Sequence, residues 1–202
     1  MGPELSSLSA ILQERQRLSI AGSAYPHAAV LVALCGPNSD DYCIPFTVRT
    51  FLVEHHKGEI SFPGGVWEGE DESLEATALR ESYEEVGIEP AGVHILGRLD
   101  DLVTRARIAV TPVVAHIPSP CPFVPSPQEV AEVLSVPLAH LLNTTHQVPD
   151  PRYPGRPLPC YQFGRHLIYG ATARILAQFL DLWRLAAARR GPGVAEIPFS
   201  PP

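Results

Sequence analysis

Glu81, Glu84 and Glu85 are the residues whose types and spacing most directly suggest chemistry. On an α-helix they fall within one arc of about 100°. Glu81 and Glu85 stand one turn apart, and Glu84 lies beside both. Three carboxylates on one face repel each other and cost stability unless positive charge sits among them. Arg80 is the only basic residue between Glu68 and Glu85, against eight acidic ones. Its position four residues before Glu84 offsets part of the repulsion and cannot neutralise the set. A hard divalent cation can, because Mg²⁺ prefers oxygen ligands and keeps water positions open. A metal so held polarises a phosphate oxygen and lowers the pKa of an attacking water. On spacing alone, a solvated acidic helix face is the more ordinary reading.

Pro63-Gly64-Gly65 precedes this segment and shifts the balance toward a site. Glycine there permits unusual backbone angles and close approach to a ligand or a helix. Neither G-x-G-x-x-G nor G-x-x-x-x-G-K-[ST] is present, so a conventional nucleotide-binding loop is not expected. His55-His56 beside Lys57 reads as a loop histidine pair, since the carboxylates already supply hard metal ligands. Cys35, Cys43, Cys121 and Cys160 show no C-x-x-C spacing and read as reduced thiols.

The elements that must position these residues can be read around them. A helix is expected from about Glu72 to Val86, stopped by Gly87. Ala78, Leu79, Ser82, Tyr83 and Val86 are expected on its core side. "AAVLVALCG", "YCIPFTVRTF", "GEISFPGG", "VHILGRLDDLVT" and "VTPVVAHIP" read as strands. Several strands with few helices between them predict a mixed sheet rather than a regular βαβ repeat. Leu5 to Ile20 has apolar residues at 5, 8, 11, 12 and 18 and predicts an amphipathic helix. "ATARILAQFLDLWRLAAARR" predicts another, with Ile175, Leu176, Phe179, Leu180, Trp183 and Ala187 packed on the core. "HIPSPCPFVPSPQ" and "VPDPRYPGRPLPC" are expected as ordered loops over the sheet.

The chain has 202 residues, 45% hydrophobic and 18% charged, which suits one folded domain rather than a disordered chain. Its net charge of −7, with no run of arginines, argues against a general nucleic-acid surface. No segment approaches the roughly 20 apolar residues of a membrane span, and no signal-type run opens the chain. The expectation is an intracellular, cytoplasmic protein with neither nucleic-acid nor membrane partner; a homodimer is the one assembly considered. The organisation expected is an N-terminal helix over 1–24, a main domain over 25–190 and a loosely ordered tail over 191–202.

Gly65, Glu72 and the run Arg80-Glu81-Ser82-Tyr83-Glu84-Glu85-Val86-Gly87-Ile88 resemble the box of the Nudix hydrolases, G-x5-E-x7-R-E-U-x-E-E-x-G-U with U a bulky apolar residue. Six residues rather than five separate Gly65 from Glu72, and Ser82 stands at an apolar position. The resemblance implies an α+β Nudix fold, an α/β/α sandwich with a mixed sheet between helices and a loop-helix-loop catalytic box. It implies metal-dependent hydrolysis of a diphosphate, with Mg²⁺ or Mn²⁺ on Glu81, Glu84 and Glu85. Arg80 and Glu72 would brace the loop, leaving Glu68, Glu70, Asp71 and Glu75 as solvated charges. The base varies in the family: Glu81, Glu129 and Glu132 are all candidates. The candidate catalytic set is Glu81, Glu84, Arg80 and Glu129.

"FTVRTFLVEHHKGEISFPGG" further resembles the coenzyme A pyrophosphatase branch, matching at Thr47, Arg49, Gly58, Phe62, Pro63, Gly64 and Gly65. "SPQEVAEVLSVPLAHLL" and "YGATARIL" resemble the same branch. This implies a small nucleoside diphosphate substrate, coenzyme A or its thioesters, cleaved to 3′,5′-ADP and (acyl-)4′-phosphopantetheine. Arg49, Lys57, Gly64 and Gly65 are the candidate substrate contacts, with Arg105 and Arg107 as further cations. Glu54 stands where the branch has Arg, reversing a charge. Two alternatives stay open: a pyrophosphatase of ADP-ribose, NADH or a dinucleoside polyphosphate, and a catalytically weak Nudix-like binding module.

Overall fold

Helix α1 (Pro3–Glu14) precedes strands β1 (His27–Cys35), β2 (Cys43–Arg49), β3 (Ile60–Ser61) and β4 (Gly64–Val66). Helix α2 (Leu74–Val86) follows, then β5 (His94–Arg98), β6 (Leu102–Val103), β7 (Ala109–Ile117) and β8 (Val130–Pro137). Helix α3 (Leu138–Asn143), strands β9 (Thr145–Val148), β10 (Leu158–Phe163) and β11 (His166–Ile168), and helix α4 (Gly170–Ala188) complete the order. This computed structural model describes residues 2–20, 22, 24–50, 58–118, 122–148 and 157–189, with backbone alone at 145–148. Glu54, His55, His56, Lys57, Cys121, Arg190 and the 191–202 tail therefore lie outside the described residues.

β1 and β7 run parallel through the middle of the sheet, in register from His27–Ala109 to Cys35–Ile117. Side chains of a strand alternate between faces, and β1 divides accordingly. Ala28, Val32 and Leu34 enter one core with Leu5, Leu8, Phe179 and Trp183 of α1 and α4. Ala29, Leu31, Ala33 and Cys35 enter a second core with Ala78 and Val86 of α2. Cover on both faces is why these strands read as continuous apolar runs rather than alternating ones. The sheet is mixed, ordered β3-β2-β1-β7-β5, with β8 antiparallel on β2. Helices on both faces give the sandwich expected. A second sheet of β11-β10-β9 lies apart.

Five details correct the sequence reading. α1 ends at Glu14, not Ile20, and Leu18 is exposed. Residues beyond Glu14 are drawn out to Asp100 and Asp101: Arg15 and Arg17 pair with them at 2.8 and 2.9 Å, and the Leu18 and Ile20 amides donate to their carboxylates. "VHILGRLDDLVT" is two strands, since those same aspartates leave the ladder between β5 and β6. Ala186, not Ala187, completes the buried stripe of α4. Tyr83 is half-exposed on α2, whereas Ala78, Ser82 and Val86 are buried. The buried Ser82 hydroxyl donates to the Ala78 carbonyl at 2.6 Å, which satisfies it at an apolar position.

The fifth correction builds the site. "GEISFPGG" is also two strands, and the chain changes partner between them. Thr47 pairs with Ser61 on β3, while Val30 pairs with Gly64 on β4. The Pro63 carbonyl accepts from the Leu31 amide at 2.8 Å. β4 thus fills the wedge that opens between β1 and β2, which meet at Cys35–Cys43. Among the described residues no helix is long and apolar enough to cross a membrane.

Candidate active site

α2 starts at Ser73, whose side-chain oxygen accepts from the Ala76 amide at 3.2 Å. It ends at Gly87, in the left-handed region at φ 72°, whose amide donates to the Tyr83 carbonyl at 2.9 Å. Between these caps the helix lies against the glycine turn. Gly64 adopts φ 148°, and a Cβ there would lie 2.3 Å from the Ala29 carbonyl oxygen and 2.6 Å from Val30 Cα. A Cβ on Gly65 would lie 2.3 Å from the carboxyl carbon of Glu81. Gly64 therefore lets β4 lie close against β1, and Gly65 lets it approach Glu81 of α2. Gly64 N–H donates to Glu85 Oε2 at 3.1 Å.

The three glutamates face one arc, as their spacing requires, and take three different environments. Glu85 is 2% exposed. Burial pushes its carboxyl up to about 7, against the opposing pull of the Gly64 amide and Arg49. Arg49 Nη1 stands 3.8 Å from Glu85 Oε1. Glu81 is part-buried, and burial raises it too, with Arg80 acting in the other direction. Glu84 points outward, half-exposed.

Arg80 is held rather than free. It pairs with Asp71 through two bonds of 3.0 Å and donates to Glu81 at 2.9 Å, Glu84 at 3.3 Å and the Val66 carbonyl at 3.2 Å. The bracing partner is thus Asp71, not Glu72, and Asp71 is not a solvated charge. The six-residue spacing after Gly65 places Asp71 where the loop folds back onto Arg80. Thr77 Oγ1 donates to it as well, at 2.9 Å. The hydrogen bonds from Arg80 hold its carboxyl at about 2. Glu72 instead lines an open hollow with His27, Trp67, Ser73 and Leu74. Glu75, also expected as solvated, pairs with Arg98 of β5.

The structure separates the two later carboxylates. Glu129 lies in a turn before β8; the Thr50 amide, one residue past β2, donates to its carbonyl at 2.9 Å. The preceding loop is tied to α2 by Ser126 N–H on the Glu85 carbonyl and Val124 N–H on the Val86 carbonyl, at 2.8 and 2.9 Å. Glu129 thereby opposes Glu81 and Glu85, and its charge raises both. Glu132 points elsewhere, to Arg165 at 3.0 Å and His166 at 3.4 Å. Arg107 lies over the Tyr25 ring at 5.7 Å rather than on the glutamates. Arg105 occupies the turn between β6 and β7, at a distance in the chain from α2.

Among the described residues, no three His, Cys, Asp or Glu side chains already converge at ligating distance. Arg80 stands between Glu81 and Glu84, and Glu85 is turned to Gly64. The donor chemistry nevertheless fits a hard divalent ion. Asp71, Glu81, Glu84, Glu85 and Glu129 are five carboxylates with two guanidinium partners, Arg49 and Arg80. Glu81 and Glu85 are raised chiefly by burial, with a smaller contribution from the neighbouring negative charge of Glu129.

A mixed sheet between helices, with a glycine turn pressed against a glutamate-bearing helix, defines a Nudix-type domain. The NUDIX domain family matches residues 25–154. The chain belongs to the Nudix hydrolase family. It is 36% identical over 179 residues to the mitochondrial coenzyme A diphosphatase NUDT8 of Mus musculus, covering 85% of this chain and 84% of that one. It is also 36% identical over 156 residues to the uncharacterized Nudix hydrolase NudL of Photorhabdus laumondii, covering 75% and 82%. Among solved structures, a Nudix hydrolase from M. Smegmatis, RenU, aligns with a TM-score of 0.52 at 16% identity, covering 94% of this chain and 99% of the other. That likeness shows the fold.

Proposed function

We propose that this Nudix hydrolase cleaves the diphosphate bond of coenzyme A or its thioesters, giving 3′,5′-ADP and (acyl-)4′-phosphopantetheine. One observation carries the reading: the flanking residues that resemble the coenzyme A branch are part of the carboxylate centre. Arg49 and Gly64 both reach Glu85, at 3.8 and 3.1 Å. The relative named as a coenzyme A diphosphatase aligns over the same region and most of both chains.

Glu81, Glu84 and Glu85 would hold Mg²⁺ or Mn²⁺, with Glu81 and Glu85 the inner pair. When bound, the ion polarises the phosphoryl oxygens and acidifies the attacking water. Glu129 opposes Glu81 and Glu85 across the site and is assigned as the base that takes the water proton. The water oxygen attacks one phosphorus, the bridging P–O bond breaks, and the leaving phosphate departs with the negative charge. Arg49 supplies positive charge to the diphosphate; its Nε is buried without a hydrogen-bond partner among the described residues. Lys57, in the same flanking run, is assigned the same task. Gly64 and Gly65 keep Glu85 and Glu81 close to the backbone, and Arg80 orients Glu81 and Glu84.

Glu54 in place of the branch arginine favours a second reading, a different nucleoside diphosphate derivative. Incubating the protein with Mg²⁺ and a panel of coenzyme A, ADP-ribose, NADH and dinucleoside polyphosphates, with products identified by mass, separates the two. Turnover of coenzyme A to the two named products supports the first. Fast turnover of another member with coenzyme A intact replaces it with the second. Tight binding without turnover of any would make the chain a binding module.

A further inference from the structure

Cys35 and Cys43 face each other at the one end of the molecule where β1 and β2 meet. As direct partners in an antiparallel pair, their side chains leave the sheet on the same face. Both lie in the core on the α2 side, Cys35 within it and Cys43 packed at its edge. Directly opposed residues have Cα atoms about 4.5–5.5 Å apart, inside the roughly 4.4–6.8 Å span of bonded cysteines. Both are thiols here, in no disulfide.

The two differ in access. Cys35 is 2% exposed, whereas Cys43 is only part-buried. The Cys35 thiol donates to the Cys43 sulfur and Ser135 of β8 adds a second bond; together they bring the Cys43 thiol down to about 7, against the upward effect of burial. An accessible sulfur that ionises near neutral pH, with a second thiol already against it, has the arrangement of an attacking and a resolving cysteine. Cys160, by contrast, is 3% exposed and lies on β10 of the second sheet. The pair is remote from the carboxylates. Gly64 and Gly65 are partnered with Val30 and Ala29, five and six residues back along β1, or roughly 17–20 Å. Arg49 is at the opposite end of β2.

We propose that Cys35 and Cys43 form an oxidisable dithiol that reacts with hydroperoxides to give a cross-strand disulfide. The Cys43 thiolate attacks the peroxide; the O–O bond breaks, the departing oxygen takes up a proton, and Cys43 becomes a sulfenic acid. The Cys35 sulfur then attacks the Cys43 sulfur; the S–O bond breaks, the S–S bond forms, and water leaves with the Cys35 proton. The two sulfurs lose two electrons and the peroxide gains them. The reaction is independent of the hydrolysis proposed above.

The test uses the full chain, reduced, freed of reductant and exposed to hydrogen peroxide at neutral pH. Remaining thiols are alkylated and the protein is cleaved before aspartate. Asp40 and Asp41 lie between the two cysteines, so cleavage leaves their peptides joined only through sulfur. The expected result is a joined pair two hydrogens lighter than the separate peptides, parted again by dithiothreitol. In Cys35→Ser, Cys43 should instead be captured by dimedone as a sulfenic acid. Recovery of Cys35 and Cys43 as separately alkylated peptides after peroxide treatment of the wild type would overturn the proposal. So would a disulfide from either one to Cys121 or Cys160.

Discussion

Gly65→Ala should silence the enzyme without unfolding it. The Cβ added at Gly65 meets Glu81 at 2.3 Å from its carboxyl carbon and at 2.3 and 2.6 Å from its two oxygens. Ordinary contact begins near 3.4 Å, so the carboxylate must withdraw by about 1 Å. The clash is with the end of a flexible side chain, and Gly65 does not sit in the left-handed region. The stability change should therefore stay within about 1 kcal/mol, since a side-chain adjustment of this kind costs roughly 0.5–1.5 kcal/mol and Ala restrains the unfolded chain. The rate should fall about 100-fold, the usual scale for a 1 Å misplacement in an active site. Gly64→Ala is the control. Its Cβ meets backbone at 2.3 and 2.6 Å and its φ is 148°, so it should lose roughly 3 kcal/mol or more. The assay pairs urea unfolding with initial rates on the best substrate of the panel. In a Glu81→Gln background, Gly65→Ala should add little further loss, because both act through one carboxylate. Full activity in Gly65→Ala, or melting as severe as in Gly64→Ala, would refute this account of the turn.

Three further outcomes follow from the site. Glu129→Gln should reduce kcat by about 10²–10⁴, the range for a lost general base, whereas Glu132→Gln should leave it near wild type; equal effects in steady-state assays would remove the distinction between them. Asp71→Asn should cost about 2 kcal/mol at neutral pH. Asp71 falls from an ordinary 3.8 to about 2 through its bonds to Arg80, so its contribution is present above pH 3.8 and disappears as pH falls through about 2. Urea melts of both proteins across that window should converge at the acid end, and a constant gap would count against the Asp71–Arg80 pair as its cause. Trp183→Ala should cost roughly 3–5 kcal/mol, because Trp183 is 4% exposed and packs on Phe179 and Tyr42; a loss below 1 kcal/mol in the same melts would show that the α4 core repacks freely.

What was legible in the sequence depended on the range of the interaction. Helix period alone placed Glu81, Glu84 and Glu85 on one arc, and Gly87 marked the helix end. Strand runs such as "AAVLVALCG" were legible because cover on both faces makes them wholly apolar. The role of Asp71 is not legible locally, because it depends on a loop folding back so that Arg80 meets it nine residues away. No local rule separates it from the solvated Glu68 and Glu70. Glu129 and Glu132 could not be told apart for a similar reason. One precedes β8 and faces α2; the other lies within the strand and meets the β10–β11 turn. The break in "GEISFPGG" was hidden because it is a change of partner strand, which only the divergence of β1 and β2 creates. The β9–β10 pairing is hidden because Pro149, Pro151, Pro154 and Pro157 separate the two strands and Pro159 stands within β10, which argues against strands.

Hydrolysis of coenzyme A by the carboxylates gathered by this turn and helix is the activity proposed for this chain. It is tested most directly by following coenzyme A by mass in saturating Mg²⁺, with wild type and Glu85→Gln side by side. The expected result is equimolar 3′,5′-ADP and 4′-phosphopantetheine from the wild type, none without metal, and near-complete loss in a Glu85→Gln protein that melts as a folded domain. Coenzyme A left intact by the wild type, or cleaved as fast by Glu85→Gln, would contradict it.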